Sequence, residues 1–316
     1  MKKIIYHTAD IVLSPLTLIF AWFFKLLRES LFRHFPVSRK IFYKIGVYPI
    51  RDHYYDPLFH PKHLNRSLRK KRFLPGIDFN DEEQLKILDS FHYNQELVSI
   101  PREKSSKLEY AYNYGQFRSG DAEFFYNIIR KYKPSRLIEI GSGSSTLLAM
   151  KAIKANQNES PDYQCEHICI EPFEASWLEE TGAKIIRERV EKLDPSFFQQ
   201  LGNNDILFID SSHIIRPQGD VLFEYLEVLP SLNPGVIVHI HDIFSPRDIL
   251  DEWITEARFW NEQYLLEAFL TFNKTFRIIG AVNYLSHEYP EAFKAKCPVF
   301  AEEKGREPGS FWIIRE

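Results

Sequence analysis

Residues 136–146, RLIEIGSGSST, constrain the fold of this chain more than any other stretch. Arg136-Leu-Ile-Glu-Ile140 carries the apolar run of a strand covered on both faces. Gly141 and Gly143 permit a tight turn and a close approach of backbone to a ligand. Ser144 and Ser145 are natural N-caps for a following helix. A ligand at that turn meets free backbone N–H groups and the positive end of a helix dipole. The pattern E-x-G-x-G alone is a common turn after a strand, so its weight comes from what surrounds it.

The surrounding order is strand, helix, strand, helix. Further strands are read at 167–171, 184–187, 205–210, 235–242, 276–285 and 309–315. Helices are read at 121–129, after 173 through Trp177 and Leu178, at 221–232 and at 265–270. Such a series implies a parallel sheet with right-handed crossovers, ending in an antiparallel pair. Ligands of such sheets sit outside the carboxyl ends of the strands.

Those ends carry the chemistry. The first offers Glu139, Gly141, Ser142 and Gly143, and the second Glu171, whose carboxylate suits a pair of ribose hydroxyls. Glu171 also reads as the N-terminal carboxylate of a helix. The spacing from Gly141 to Glu171 is long, and the polar residues 156–164 are read as a surface insertion. The fourth strand ends in Asp210-Ser-Ser-His213 and the fifth in His241-Asp242. Two carboxylates and two imidazoles at one rim suit Mg²⁺ or Mn²⁺, with imidazole favouring a transition metal. Turn capping is the plain alternative for Asp210 and Asp242, a loop position for His213, and a satisfied core histidine for His239.

With these residues in place, the chain resembles the class I S-adenosylmethionine-dependent methyltransferases, whose first motif has an acid where Glu139 stands. Within them it resembles the cation-dependent O-methyltransferases of the catechol and macrolide-sugar type. The resemblance covers about residues 110–316. It implies a Rossmann-like seven-stranded α/β sheet and S-adenosylmethionine held by Glu139, Gly141, Ser142, Gly143, Glu171 and Asp210. It also implies a divalent metal, Mg or Mn, on Asp210 and Asp242, with His213 as general base. His241 stands where the family often has an oxygen ligand. Tyr114, Gly115 and Asp121 fall where an entry loop covers the methionine end of the cofactor, although turn or capping roles fit them better. The implied activity is O-methylation of a hydroxyl; the membrane-surface arm and aromatic lid described below, and not the resemblance, suggest a sugar in a glycan or lipid-linked precursor as its bearer. The alternatives are a metal-dependent hydroxylase on the same fold, using Fe²⁺, and a non-catalytic membrane-associated scaffold.

Residues 1–75 lie outside the resemblance and are read as a basic, amphipathic arm preceding a catalytic domain over 76–316. Residues 1–72 hold 15 Lys/Arg and 4 Asp/Glu, although the whole chain has net charge −3. The body is therefore acidic, which argues against a nucleic-acid partner. Residues 11–24 contain no charge. Ser14-Pro15 reads as a helix start, with Leu16, Ile19, Phe20, Phe23, Phe24, Leu27 and Leu31 on one side. The uncharged run covers about 21 Å at 1.5 Å per residue, short of the ~30 Å hydrocarbon core. This points to residues 11–35 lying at a membrane surface, hence a cytoplasmic protein peripheral at the inner face. A span, packing on the body, or packing on a second subunit of a homo-oligomer are the alternatives. Residues 45–75 read as an irregular connection, with Arg69-Lys-Lys-Arg72 as a solvated turn. Residues 244–272 read as a substrate lid in which Trp260 and Tyr264 could stack on a ring, or as helix packing. The three cysteines, Cys165, Cys169 and Cys297, have no metal spacing and read as reduced.

Overall fold

The computed structural model describes residues 2–29, 32–173 and 175–316; Leu31, placed on the arm's apolar side above, lies outside them. The chain divides into two units: Met1–Asn65 with Glu252–Phe259, and Arg66–Asp251 with Trp260–Glu316.

In the first unit, α1 runs from Lys2 to Glu29 and α2 from Pro36 to Ile45. Ser14-Pro15 does not begin a helix, because α1 passes straight through Pro15. Proline has no N–H for the carbonyl four residues earlier. That carbonyl, of Ile11, accepts instead from the Ser14 hydroxyl at 2.8 Å. Below α1, Asp56 gathers the guanidinium groups of Arg28 and Arg51, at 2.5 and 2.7 Å. This pairing holds the Asp56 carboxyl below its ordinary pKa in spite of burial.

The second unit opens with α3 (Asp81–Asp89), α4 (Asn94–Ser99) and α5 (Asp121–Tyr132). The doubly wound part follows: β1 (Arg136–Ile140), α6 (Ser144–Glu159), β2 (Glu166–Ile170), β3 (Lys184–Ile186) and β4 (Ile206–Ile209). A helical stretch comes next: α7 (Asp220–Phe223), a π turn (Glu224–Val228) and α8 (Leu229–Ser231). Then come β5 (Ile237–Ile240), α9 (Asp251–Thr255, of which all but Asp251 belongs to the first unit), α10 (Glu262–Leu270) and β6 (Phe276–Ala281). Three short helices, α11 (Val282–Glu288), α12 (Pro290–Lys296) and α13 (Pro298–Glu302), lead to β7 (Phe311–Arg315).

The strands form one seven-stranded sheet in the order β3-β2-β1-β4-β5-β7-β6. Only β7 runs against its neighbours. Strand alternation divides the interior into two layers. Leu137, Ile206, Phe208 and Ile237 join Phe124, Phe125 and Leu148 on one face. Ile138, Leu207, Ile209 and Val238 join Phe198, Val221 and Leu266 on the other. Each such side chain, removed from water, contributes roughly 1.5–3 kcal/mol.

Several expectations are corrected. The reading of 276–285 as one strand fails at Ala281, where the chain turns into α11. Leu178 opens a short 3-10 turn, not the end of an α-helix from Phe173, since Pro172 and Gly182 leave little room for one. Residues 156–159 are the last turn of α6, and Asn156 is buried, donating to the Ile129 carbonyl and accepting from Arg130. The Arg69–Arg72 cluster is not a solvated turn. Arg72 pairs with Glu267, donates to the Pro246 and Arg247 carbonyls, and lies over the Tyr264 ring. Arg69 donates to the Asp248 and Ile249 carbonyls.

Candidate active site

Register builds the site. Ile140 pairs with both Ile170 and Ile209, and Ile209 pairs with Ile240. The next residues, Gly141, Glu171, Asp210 and His241, therefore leave four neighbouring strands at one level. A cavity of ≈ 500 Å³ opens there, lined among others by Gly141, Glu171, Phe173, Asp210, Ser212 and Arg216. A larger groove of ≈ 660 Å³ around Phe73, Asp81 and Tyr284 holds none of the convergent strand-end groups.

Gly141 has φ +77°, and a Cβ there would sit 1.9 Å from the Asp210 carbonyl oxygen. No other residue fits that turn. Glu171 accepts from the Phe173 N–H at 2.9 Å and the Ser142 N–H at 3.4 Å, which aims its carboxylate across the cavity floor. Glycine cradle, flanking carboxylate and cavity suit a nucleoside with an attached charged chain. Ser142 and Gly143 continue the turn into α6. The N-cap of α6 is Gly143, not Ser144 or Ser145, and Thr146 in the first turn accepts from the Gly143 N–H through its Oγ1 at 3.2 Å. The same hydroxyl donates to Glu139 at 2.6 Å. Glu139 is fully buried and set back from the cavity lining. Its Oε2 takes His167 at 3.0 Å and the Cys169 thiol at 3.6 Å, while Oε1 is buried without a hydrogen-bond partner. The expectation that Glu139 touches the ligand is thus corrected to a role beneath the turn. Asp121 is likewise structural, accepting from the Gly309 and Ser310 N–H groups and pairing with Arg306.

Beside the cavity, His213 Nε2 lies 3.2 Å from Asp210 Oδ1 and 3.5 Å from Asp242 Oδ2. Its Nδ1 faces Glu262 Oε2 at 2.8 Å. Both His213 and Asp242 hold φ +59°, a left-handed backbone that non-glycine residues adopt under constraint. For His213 the constraint comes from the start of α10, where the Asn261 and Glu262 N–H groups donate to its carbonyl at 3.0 and 3.2 Å. The Trp260 ring lies 4.7 Å from the imidazole. Tyr225 donates to the other Glu262 oxygen at 3.1 Å. Burial of His213 opposes its charged form, yet hydrogen bonds to Asp210 and Glu262 and the charge of Asp242 raise its pKa well above the usual histidine range. Burial raises the Asp242 pKa, against the pull of His241 and His213.

Asp210, His213 and Asp242 bring one ligand atom each within 4.8 Å of one another. His241 Nε2 lies 3.8 Å from Asp242 Oδ1, and its Nδ1 is buried without a hydrogen-bond partner. Two carboxylates with imidazole nitrogens at hand form a donor set that fits Mn²⁺ or a similar divalent ion. His239 is a core residue, 2.9 Å from Ser310 Oγ and stacked on Phe208. Tyr264 is occupied by Asp248 and Arg72, which removes it as a stacking platform. The sequence reading missed Glu262. It is 49 residues from His213 and looks like any acid in the first turn of a helix.

The sequence model of a family described as "Methyltransferase domain" matches residues 138–243. An uncharacterized protein of Archaeoglobus fulgidus is 34% identical over 167 residues, 49% of this chain and 74% of that protein. The chain belongs to this methyltransferase family. Among solved structures, the O-methyltransferase TomG of Streptomyces achromogenes, in complex with S-adenosylmethionine, is similar over 73% of this chain and 89% of its own, at 13% identity and TM-score 0.38. The MycE methyltransferase of the mycinamycin pathway, in complex with Mg and S-adenosylhomocysteine, is similar over 65% of this chain and 51% of its own, at 14% identity and TM-score 0.35. The sheet of this methyltransferase is the Rossmann-like seven-stranded sheet that the sequence led us to expect. The matched segment runs from β1 to just past β5 and includes Gly141, Glu171, Asp210, His213, His241 and Asp242. Glu262 of the methyltransferase lies beyond it.

Proposed function

We propose that this methyltransferase transfers a methyl group to a hydroxyl, with His213 as general base. One observation carries the reading: His213 Nε2 faces Asp210 and Asp242 beside the cavity, while Glu262 fixes Nδ1 from behind. The chemistry is in-line displacement at the cofactor's methyl group. Glu171 binds the ribose hydroxyls, and Gly141 lets the backbone approach the cofactor. His213 Nε2 is free to receive the hydroxyl proton once a cation on Asp210 and Asp242 offsets the negative charge that raises its pKa, and Glu262 stabilises the resulting imidazolium. Asp210 and Asp242, with His241, would hold a divalent ion that lowers the pKa of the substrate hydroxyl.

The acceptor class we assign is a sugar of a glycan or lipid-linked precursor, at the cytoplasmic face of a membrane. Two features support it. The Trp260 ring beside His213 offers an apolar face for a pyranose. The helix α1 is apolar and exposed over most of its length. Calorimetric titration with S-adenosylhomocysteine, with and without Mn²⁺, tests the cofactor site. Binding that Glu171→Ala removes is expected. Transfer of labelled methyl to lipid-linked glycans then tests the acceptor; oxygen-dependent turnover without methyl transfer would replace this reading with a hydroxylase.

A further inference from the structure

The membrane part of that reading can be carried further, independently of the methyl-transfer chemistry. We infer that α1 crosses a lipid bilayer once, leaving the residues after it on the cytoplasmic side. The stretch Ile5–Glu29 has 25 residues and contains an 18-residue window with a mean hydropathy of 1.7. At 1.5 Å per residue it measures about 37 Å, against a hydrocarbon core of about 30 Å. The expectation of a helix too short to span rested on the 14 uncharged residues 11–24 alone; the structure continues the helix beyond them on both sides, from Lys2 to Glu29.

The distribution of side chains favours crossing over lying in the plane. Val12, Leu13, Leu16, Leu18, Ile19 and Trp22 are all more than half exposed. At 100° per residue they cover an arc of roughly 220°, about twice the apolar stripe of a surface helix. An in-plane helix needs a charged face toward water. Between Asp10 and Lys25 the remaining arc carries Ser14, Thr17, Ala21 and Phe24 and no charge; Asp10, Lys25 and Arg28 fall on it only at the two ends of the helix.

The backbone is also prepared for a medium without water. Pro15 leaves the Ile11 carbonyl without its helical donor, and the Ser14 hydroxyl supplies one at 2.8 Å. The Thr17 hydroxyl reinforces the next turn through the Leu13 carbonyl at 3.1 Å. In hydrocarbon an unsatisfied carbonyl costs several kcal/mol, so hydroxyls beside a proline are what a lipid-exposed helix requires. The far end is marked by Trp22 with Lys25 4.8 Å over its ring, an aromatic and basic pair suited to the headgroup level. Six Lys/Arg lie between Lys25 and Lys44, against Lys2 and Lys3 on the other side. The positive-inside rule puts the richer side in the cytoplasm.

The test uses the full chain expressed in bacterial cells. Membranes washed with alkaline carbonate should retain it; release into the wash would mean an in-plane or peripheral helix and would overturn the inference. Single cysteines at Tyr6→Cys and Tyr43→Cys, in a Cys165→Ser background, report sidedness. An impermeant maleimide on intact spheroplasts should label position 6 at once and position 43 only after lysis. Equal labelling of both before lysis, or of neither, would overturn a single crossing. Leu16→Arg with Ile19→Arg should move the protein to the soluble fraction, and its persistence in the membrane would point to capture by another protein or a second copy instead. S-adenosylhomocysteine binding, measured in detergent, should be the same for all these variants. Its absence in a protein that spans would count against the methyl-transfer reading alone.

Discussion

Glu262 Oε2 lies 2.8 Å from His213 Nδ1, and no other carboxylate approaches that nitrogen among the described residues. This pairing fixes which ring nitrogen faces the cavity. His213→Ala should leave S-adenosylhomocysteine affinity unchanged and lower turnover by about 10²–10⁴-fold, the usual worth of a positioned base. Glu262→Gln should lower kcat by about 10–100-fold with little change in KM for the cofactor, and Glu262→Asp should recover part of it. Equal turnover in Glu262→Gln and wild type would assign the pair to folding alone.

Asp210 and Asp242 flank His213 at 3.2 and 3.5 Å. Chelation should therefore abolish turnover, and Mn²⁺ should restore it. In Asp242→Asn the added-metal response should shift to at least about tenfold higher concentration, since one charged ligand is lost. Turnover indifferent to chelator in the wild type would remove the ion from the mechanism.

Gly141 should tolerate nothing larger. Gly141→Ala puts a Cβ 1.9 Å from the Asp210 carbonyl and a side chain at φ +77°. The β1 turn would have to move, so cofactor binding should be lost, with stability lowered by roughly 1–3 kcal/mol or more. A variant that still binds S-adenosylhomocysteine at wild-type affinity would show that the turn is mobile.

Glu123 gives the fold a pH dependence. Burial pushes its pKa up to about 7, against three backbone N–H groups, of Gly120, Val299 and Phe300, that favour the carboxylate. The folded value lies above the unfolded one, so its contribution is complete below the unfolded pKa and is lost as pH rises through about 7. Between about pH 4.5 and 7.5 the wild type should lose up to a few kcal/mol that Glu123→Gln does not lose. Parallel denaturation curves for the two proteins across that range would refute the assignment.

The body was legible in the sequence where local pattern and burial agree. Arg136–Ile140 is uninterrupted because both faces of β1 are covered, and Asp210 and Asp242 announced themselves by ending apolar runs. Glu262 was not legible, because its role depends on a fold-back of α10 onto the His213 loop that no spacing encodes. Glu139 misled: its place in the glycine motif suggests ligand contact, yet it points to the face where Thr146 and His167 lie. Pro15 misled in the same way, since the Ser14 hydroxyl that rescues the helix is also the residue that mimics a cap.

The position of β7 bears on the order in which the protein can be completed. It pairs with β5, whose end carries His241 and Asp242, and the Gly309 carbonyl accepts from the Ile243 N–H directly after them. A nascent chain emerging from the ribosome therefore has β5 as an open sheet edge until residues 309–315 are made. The glycine turn and Glu171 are assembled much earlier. The emerging protein should thus acquire its nucleoside cradle well before its catalytic rim, leaving an interval in which the cofactor can be held but no acceptor can be methylated.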